Sequence, residues 1–199
     1  MKTDRIYRVL YAILWPVFHL LYPIRVSGRE NIPDGPAIIC PNHTNAIDPF
    51  FVVFAFRRRH ILRAMAKAEL MRIPVLGWIL RQIGAFGVER GAADIGAVKT
   101  SLRILKEGRK LLMFPEGTRV SEGESVEAKT GAAMFSTRAG VPIVPVYVEA
   151  HKRLFRTNRV AIGQPFMPVT AGRKGTAEEY RAIADDLMER IYALEEGRK

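Results

Sequence analysis

Pro41-Asn42-His43-Thr44-Asn45-Ala46-Ile47-Asp48-Pro49 is the stretch on which the reading of this chain turns. The apolar run Ala37-Ile38-Ile39-Cys40 leads into it and reads as a short buried strand. A second apolar run, Phe50 to Phe56, leads out and reads as a helix. Between them stand one imidazole, His43, and one carboxylate, Asp48. Pro41 and Pro49 each bias the residue before them towards extended backbone, so a stiff turn is expected. A histidine beside a carboxylate at a strand-to-helix junction suits a general base with its orienting partner. Asp48-Pro49 is also a good helix start, with Asp48 as N-cap and proline at the first helical position. A lone histidine is often structural, so these residues alone leave both readings of His43 open.

Working outward, strands and helices alternate. Ile24-Arg25-Val26 reads as a short strand before a turn-rich loop, Gly28 to Gly35. After the central turn, Ile61 to Ala66 reads as a strand ending at Lys67. Residues 68–82 mix apolar and turn signals, fitting core or an apolar channel. Ile83 to Gly91 reads as a glycine-flanked strand that carries Arg90. Asp94 is placed to cap a helix that Gly108 stops. Lys110 to Phe114 is a further buried strand, delivering the polar turn Pro115-Glu116-Gly117-Thr118-Arg119. A helix is expected near Glu127 to Ala139, then a strand over Val141 to Val148 whose prolines place it at a bulge, an edge or an entry. A last strand is expected near Arg159 to Gln164. Thr176-Ala177-Glu178-Glu179 is a capping box that opens an amphipathic C-terminal helix. The pattern predicts an α/β fold: a single domain with a mixed β-sheet flanked by helices.

The N-terminal region carries Lys2, Arg5 and Arg8, then an uncharged stretch from Val9 to Ile24. At about 1.5 Å per residue, that stretch is shorter than the roughly 30 Å hydrocarbon core of a bilayer. Pro16 and His19 further disfavour a span, and no small-residue cleavage site follows. Basic edges with Trp15 and several tyrosines favour a membrane-interfacial helix over a helix packed on the domain, with a full span third. The expected organisation is therefore an interfacial helix over residues 1–24 and the α/β domain over residues 25–199.

The 199 residues suit one domain with a sizeable core, and the formal net charge of +11 points to an anionic partner. That partner could be a phosphate-bearing substrate, an acidic membrane surface, an acidic carrier protein or nucleic acid. The single cysteine, Cys40, sits in an apolar run and permits no internal disulfide. The four histidines lack ligand spacing, so no metal site is expected. Cations are dispersed or sit at strand ends rather than clustering on one face with stacking aromatics, which argues against nucleic acid.

Strand-end loops carry most of the reactive groups: His43 and Asp48, Lys67, Arg90, and the 115–119 turn. One pair that could move a proton, among several cations, suits transfer to a hydroxyl on a phosphorylated molecule. Imidazole as a side-chain type titrates near neutrality, at about 6.5.

Four blocks, in order, resemble those of the glycerolipid acyltransferases. They are Asn42-His43-Thr44-Asn45-Ala46-Ile47-Asp48, Gly84-Ala85-Phe86-Gly87-Val88-Glu89-Arg90, Phe114-Pro115-Glu116-Gly117-Thr118-Arg119 and Val141-Pro142-Ile143-Val144-Pro145-Val146. Together they span roughly residues 25–165, and the short bacterial 1-acyl-glycerol-3-phosphate acyltransferases are the nearest match. Asn45, Gly87 and Val120 depart from the family's usual serine, proline and serine. The resemblance implies that His43 deprotonates an acceptor hydroxyl and that Asp48 orients it. It also implies that Arg90 and Arg119 bind the acceptor's phosphate, with Glu116, Gly117 and Thr118 in the same site and Lys67 as a looser match. It implies an acyl thioester co-substrate, from coenzyme A or an acyl carrier protein, and no further cofactor. The acceptor would be a lysophosphatidic acid, the product phosphatidic acid, and the setting the cytoplasmic face of a cell membrane, held there as a peripheral or monotopic protein. Two alternatives stay open: another lysolipid or alcohol as acceptor, and a non-catalytic basic protein bound peripherally to membranes.

Overall fold

Seven strands form one mixed sheet in a computed structural model that describes residues 2–89, 94–120, 126–172 and 174–196. The strands are β1 (Ile24–Ser27), β2 (Ala37–Pro41), β3 (Leu62–Lys67), β4 (Phe86–Val88), β5 (Lys110–Leu112), β6 (Ile143–Val148) and β7 (Asn158–Ile162). The helices are α1 (Lys2–Leu21), α2 (Asp48–Ala55), α3 (Ala68–Arg72), α4 (Pro74–Gln82), α5 (Ile95–Lys106), α6 (Gly131–Ala139) and α7 (Ala177–Glu196). Across the sheet the order is β1-β7-β6-β2-β5-β3-β4. Every neighbouring pair is parallel except β6 with β7, so the sheet is mixed as expected.

The β2 strand runs through the middle, and all five of its residues are buried. A strand covered on both faces reads as an unbroken apolar run, because alternate side chains enter two different cores. Ala37 and Ile39 join Phe51, Val52, Phe56, Leu112, Val146 and Val160 beneath α2. Ile38 and Cys40 join Ile104, Leu105, Leu111, Phe135, Leu187 and Ile191 beneath α5, α6 and α7. Burying one such side chain stabilises the fold by about 1.5–3 kcal/mol, so each face is well anchored.

Local signals account for several element ends. The Asp94 side chain accepts from Ala97 N at 2.8 Å, as a cap should. Thr176 and Glu179 form a reciprocal capping box at the start of α7, with Glu179 N donating to Thr176 Oγ1 and Thr176 N to Glu179 Oε2. Residues 68–82 fold into two short helices, α3 and α4, and of these residues only Gly77 is buried, so they are surface and not the core that was one of the two expectations. Pro145 lies inside β6, a strand with neighbours on both sides. The pairing slips there by one residue between Ile143↔Phe166 and Val146↔Ile162, so this proline sits at a bulge.

Helix α1 has two unlike faces. Tyr11 and Phe18 pack on Phe54, and Phe18 also meets Phe50 and Phe51. Asp4 accepts from Arg63 and, at 2.9 Å, from Arg109, which ties the start of the helix to the sheet. Val9, Ile13, Val17 and Leu20 on its remaining surface are exposed. Leu70, Val75 and Trp78 on α3 and α4 are exposed as well. Among the described residues no helix is long and apolar enough to cross a membrane.

Candidate active site

Parallel pairing sends the chain out of β2, β3, β5 and β6 at one edge of the sheet, where sites in α/β folds collect. From β2 emerges the 41–49 turn, and Asn42 fastens it. Its side chain accepts from Val148 N at 2.7 Å and donates to Val148 O at 3.0 Å, acting as one more rung between β2 and β6. His43 follows, with its ring stacked on Phe114 at a centroid separation of 4.0 Å.

His43 Nδ1 lies 3.1 Å from Asp48 Oδ2. A carboxylate can only accept, so the ring proton sits on Nδ1 and Nε2 is left with a lone pair. Asp48 is not the N-cap expected from Asp48-Pro49. Ile47 occupies that position and Asp48 is the first residue of α2. Its carboxylate turns back instead, and Oδ2 accepts from Thr44 N at 2.7 Å and Asn45 N at 2.6 Å. The geometry is an Asp-centred turn that orients the imidazole.

Asp48 is fully buried, and its other oxygen, Oδ1, is paired with the Lys152 ammonium. Lys152 also donates to Thr44 Oγ1 at 2.8 Å and is itself only 3% exposed at the side chain. Burial works against the ionised carboxylate, but the His43 hydrogen bond and the Lys152 charge hold Asp48 below its ordinary value. Burial pulls the Lys152 ammonium down, against the attraction of Asp48.

The 115–119 turn arrives from β5, the neighbour of β2. Val120 N donates to His43 O at 2.8 Å, which clips the two loops together. Glu116 does not face an open acceptor site. It is 1% exposed, and its carboxylate accepts from His43 N at 2.8 Å and from Tyr192 OH at 3.0 Å. Burial first, and the Asp48 charge second, push this carboxyl up to about 7, against the pull of its two donors. Gly117 has φ +70, a conformation that L side chains resist, and the turn needs it there. Thr118 and Arg119 are exposed beside this clip. Lys67, at the end of β3, is exposed and paired with Glu69 at 3.1 Å. The expectation for Arg90 lies outside the described residues.

The structure thus brings Asp48 and Glu116 each onto His43 and leaves Arg119 exposed, one residue before the Val120 clip. Lys152 and Tyr192 were not singled out in the sequence. Lys152 follows a strand that ends at the same sheet edge, and that position was a usable signal. Tyr192 gave none, since it sits on a half-exposed flank of a C-terminal helix.

Residues 23–149 match the family model described as Acyltransferase. The chain is 30% identical over 178 residues to the 1-acyl-sn-glycerol-3-phosphate acyltransferase of Bacillus subtilis, covering 86% of this chain and 88% of that protein. It is 30% identical over 197 residues to the protein of the same name from Streptococcus pneumoniae, covering 96% and 72%. The chloroplastic LPAT1 of Arabidopsis thaliana is 27% identical over 157 residues, and there the match spans 43% of the relative's length. In three dimensions the crystal structure of the 1-acyl-sn-glycerophosphate (LPA) acyltransferase PlsC from Thermotoga maritima superposes with a TM-score of 0.68. That match has 25% identity and covers 98% of this chain and 78% of that one. With more than half of its length matched by the family model and a close-length relative at 30% identity, this chain belongs to the acyltransferase family.

Proposed function

We propose that the chain transfers a fatty acyl group from a thioester to the 2-hydroxyl of 1-acyl-sn-glycerol-3-phosphate, giving phosphatidic acid. The observation that carries the mechanism is the His43–Asp48 contact with Nε2 left free. In this reading Nε2 takes the proton of the acceptor hydroxyl as its oxygen attacks the thioester carbonyl carbon. A C–O bond forms, the tetrahedral adduct collapses, and the C–S bond breaks. The imidazolium returns its proton to the departing sulfur. Thiols titrate near about 8.5, so the leaving group needs little help. Asp48 keeps the proton on Nδ1 and stabilises the imidazolium while it exists. The thioester, from coenzyme A or an acyl carrier protein, supplies the activated acyl group, and the scheme calls on no further cofactor.

Arg119, Arg90, Lys67 and the Thr118 hydroxyl are proposed to receive the acceptor's phosphate, with Gly117 giving that turn its shape. Exposure of Thr118 and Arg119 beside the His43 clip supports this for those two residues. Glu116 is proposed to act from behind, holding the His43 backbone. The acceptor and product are lipids, so α1 is proposed to lie in the membrane interface with Val9, Ile13, Val17 and Leu20 towards the acyl chains. The basic balance of the chain favours an anionic leaflet, such as the cytoplasmic face of a cell membrane.

The test is purified protein with lysophosphatidic acid and two thioester donors, one on coenzyme A and one on carrier protein, read by mass spectrometry. Wild type forms the diacyl product with at least one donor. His43→Ala loses about a hundredfold to ten-thousandfold in kcat, the usual range for a positioned general base. Product formed equally well by His43→Ala would overturn the mechanism.

A further inference from the structure

Residues 151–156 connect β6 to β7 and point two ways at once. Inward goes Lys152, onto Asp48 Oδ1 and Thr44 Oγ1. Outward go Leu154 and Phe155, which are 54% and 68% exposed. Phe155 is held at φ +55, a left-handed conformation that a bulky residue resists. The segment is not loose. Asn158, 1% exposed, accepts from Arg153 N at 2.8 Å and donates to Arg153 O and Arg156 O at 3.0 and 2.7 Å. Phe155 N donates to Leu21 O at 2.7 Å, joining the loop tip to the end of α1. The fold therefore builds, braces and strains a turn whose result is to hold two apolar side chains in water.

What would cover them is indicated by their surroundings. Leu20, 71% exposed, is next to the residue that the loop tip is bonded to, so the apolar tip continues the exposed flank of α1. Arg156 and Arg153, the latter 3.6 Å from Glu149, flank the tip on the same turn and are exposed. Apolar side chains flanked by arginines fit a lipid surface with anionic headgroups.

We propose that this loop is a membrane-seated brace: Leu154 and Phe155 enter the lipid surface, and Lys152, on the same turn, holds the Asp48 carboxylate in register with His43. It rests on the reading of the chain as a lipid acyltransferase and adds a way for membrane contact to reach the catalytic pair. Lys152 is a positioning residue in this scheme, since it acts through Asp48 and touches no substrate. A lysine whose side chain is only 3% exposed is tolerated only when paired, so the brace and the carboxylate depend on each other.

Two measurements decide it. First, Phe155→Cys carries an environment-sensitive fluorophore. Cys40 is fully buried with its thiol pushed up by burial, so the introduced thiol is the reactive one. Adding vesicles of phosphatidylcholine with phosphatidylglycerol should shift its emission to the blue and brighten it. An unchanged spectrum in the presence of vesicles that bind the protein overturns the docking. Second, turnover is compared for acceptor embedded in those vesicles and for a short-chain lysophosphatidic acid kept below its micelle concentration. Leu154→Ser with Phe155→Ser should lose about tenfold or more in kcat/KM on vesicles, from two lost apolar insertions, while staying within about twofold on the dispersed acceptor. Equal loss on both, or loss on neither, counts against the proposal. Lys152→Met should lower kcat on both acceptors with KM little changed, and Lys152→Arg should recover most of it. If Lys152→Met leaves kcat intact, the brace is wrong. If wild type acylates neither acceptor, the proposed reaction has failed, and the fluorophore still reports whether the loop enters lipid.

Discussion

Two carboxylates, Asp48 and Glu116, flank His43, and both are shut away from solvent, at 0% and 1% exposure. Their titrations nevertheless move in opposite directions. Asp48 is held below its ordinary value, while Glu116 is pushed up to about 7. Burial raises both, so the difference lies in their partners. Asp48 has a buried ammonium and three N–H donors, counting the imidazole. Glu116 has one backbone N–H and one phenol, with the negative Asp48 nearby. The pair by the ring is thus supplied with a permanent anion on one side and a group that is easily neutralised on the other. Only the first is equipped to stabilise a transient imidazolium.

This contrast can be broken at three points. Asp48→Asn should have the largest effect. It removes the anion and strands Lys152 as an unpaired buried charge, a type of change that costs about 3–5 kcal/mol. Denaturant midpoints at pH 7 should fall accordingly, and kcat should drop at least about a hundredfold. Glu116→Gln should do the reverse for stability at high pH. A carboxyl held at about 7 in the fold, against an ordinary 4.5, binds its proton more tightly folded than unfolded. Wild-type stability therefore falls as pH rises from about 4.5 to 7, and by pH 8 the ionised group costs roughly 3 kcal/mol. Glutamine can accept from His43 N and donate to Tyr192, so its advantage over wild type in thermal unfolding should grow from pH 5 to pH 8. A gap that stays constant with pH would show that Glu116 does not titrate in this range. Tyr192→Phe is the mildest change. It deletes one donor to Glu116 and should cost about 1 kcal/mol at pH 6, and more at pH 8, where the lost bond was to a charge.

The same two residues mark what the sequence could carry. His43 and Asp48 are close in the chain, so the proline-bracketed turn made them a candidate pair, and the four-block resemblance, not the turn, favoured the catalytic reading. Even so, the local rule misplaced Asp48 as a helix cap, because the turn's own N–H groups outcompeted those of α2. Glu116 lies 73 positions from His43, and their meeting depends on β5 lying beside β2. Lys152 reaches Asp48 because β6 is the other neighbour of β2. Alternation of strands and helices marks a mixed sheet, but no periodicity states the order in which strands stand. The resemblance implied that Glu116 belongs to the acceptor site, and nothing in the sequence showed the core closing over it. Residues 68–82 stayed ambiguous because short helices bounded by Pro74 leave too few turns to set a period. The oily N-terminal stretch could be recognised as a surface helix, yet its second face, seated on Phe50, Phe51 and Phe54, could not.

That second face bears on how the protein can be handled. Trimming away the greasy N-terminal helix to ease purification would unroof the aromatic face of α2, the helix whose first residue is Asp48, since Phe18 rests on Phe50 and Phe51. A shortened protein that stays in solution without detergent should therefore be expected to be a poor catalyst, even with every motif intact.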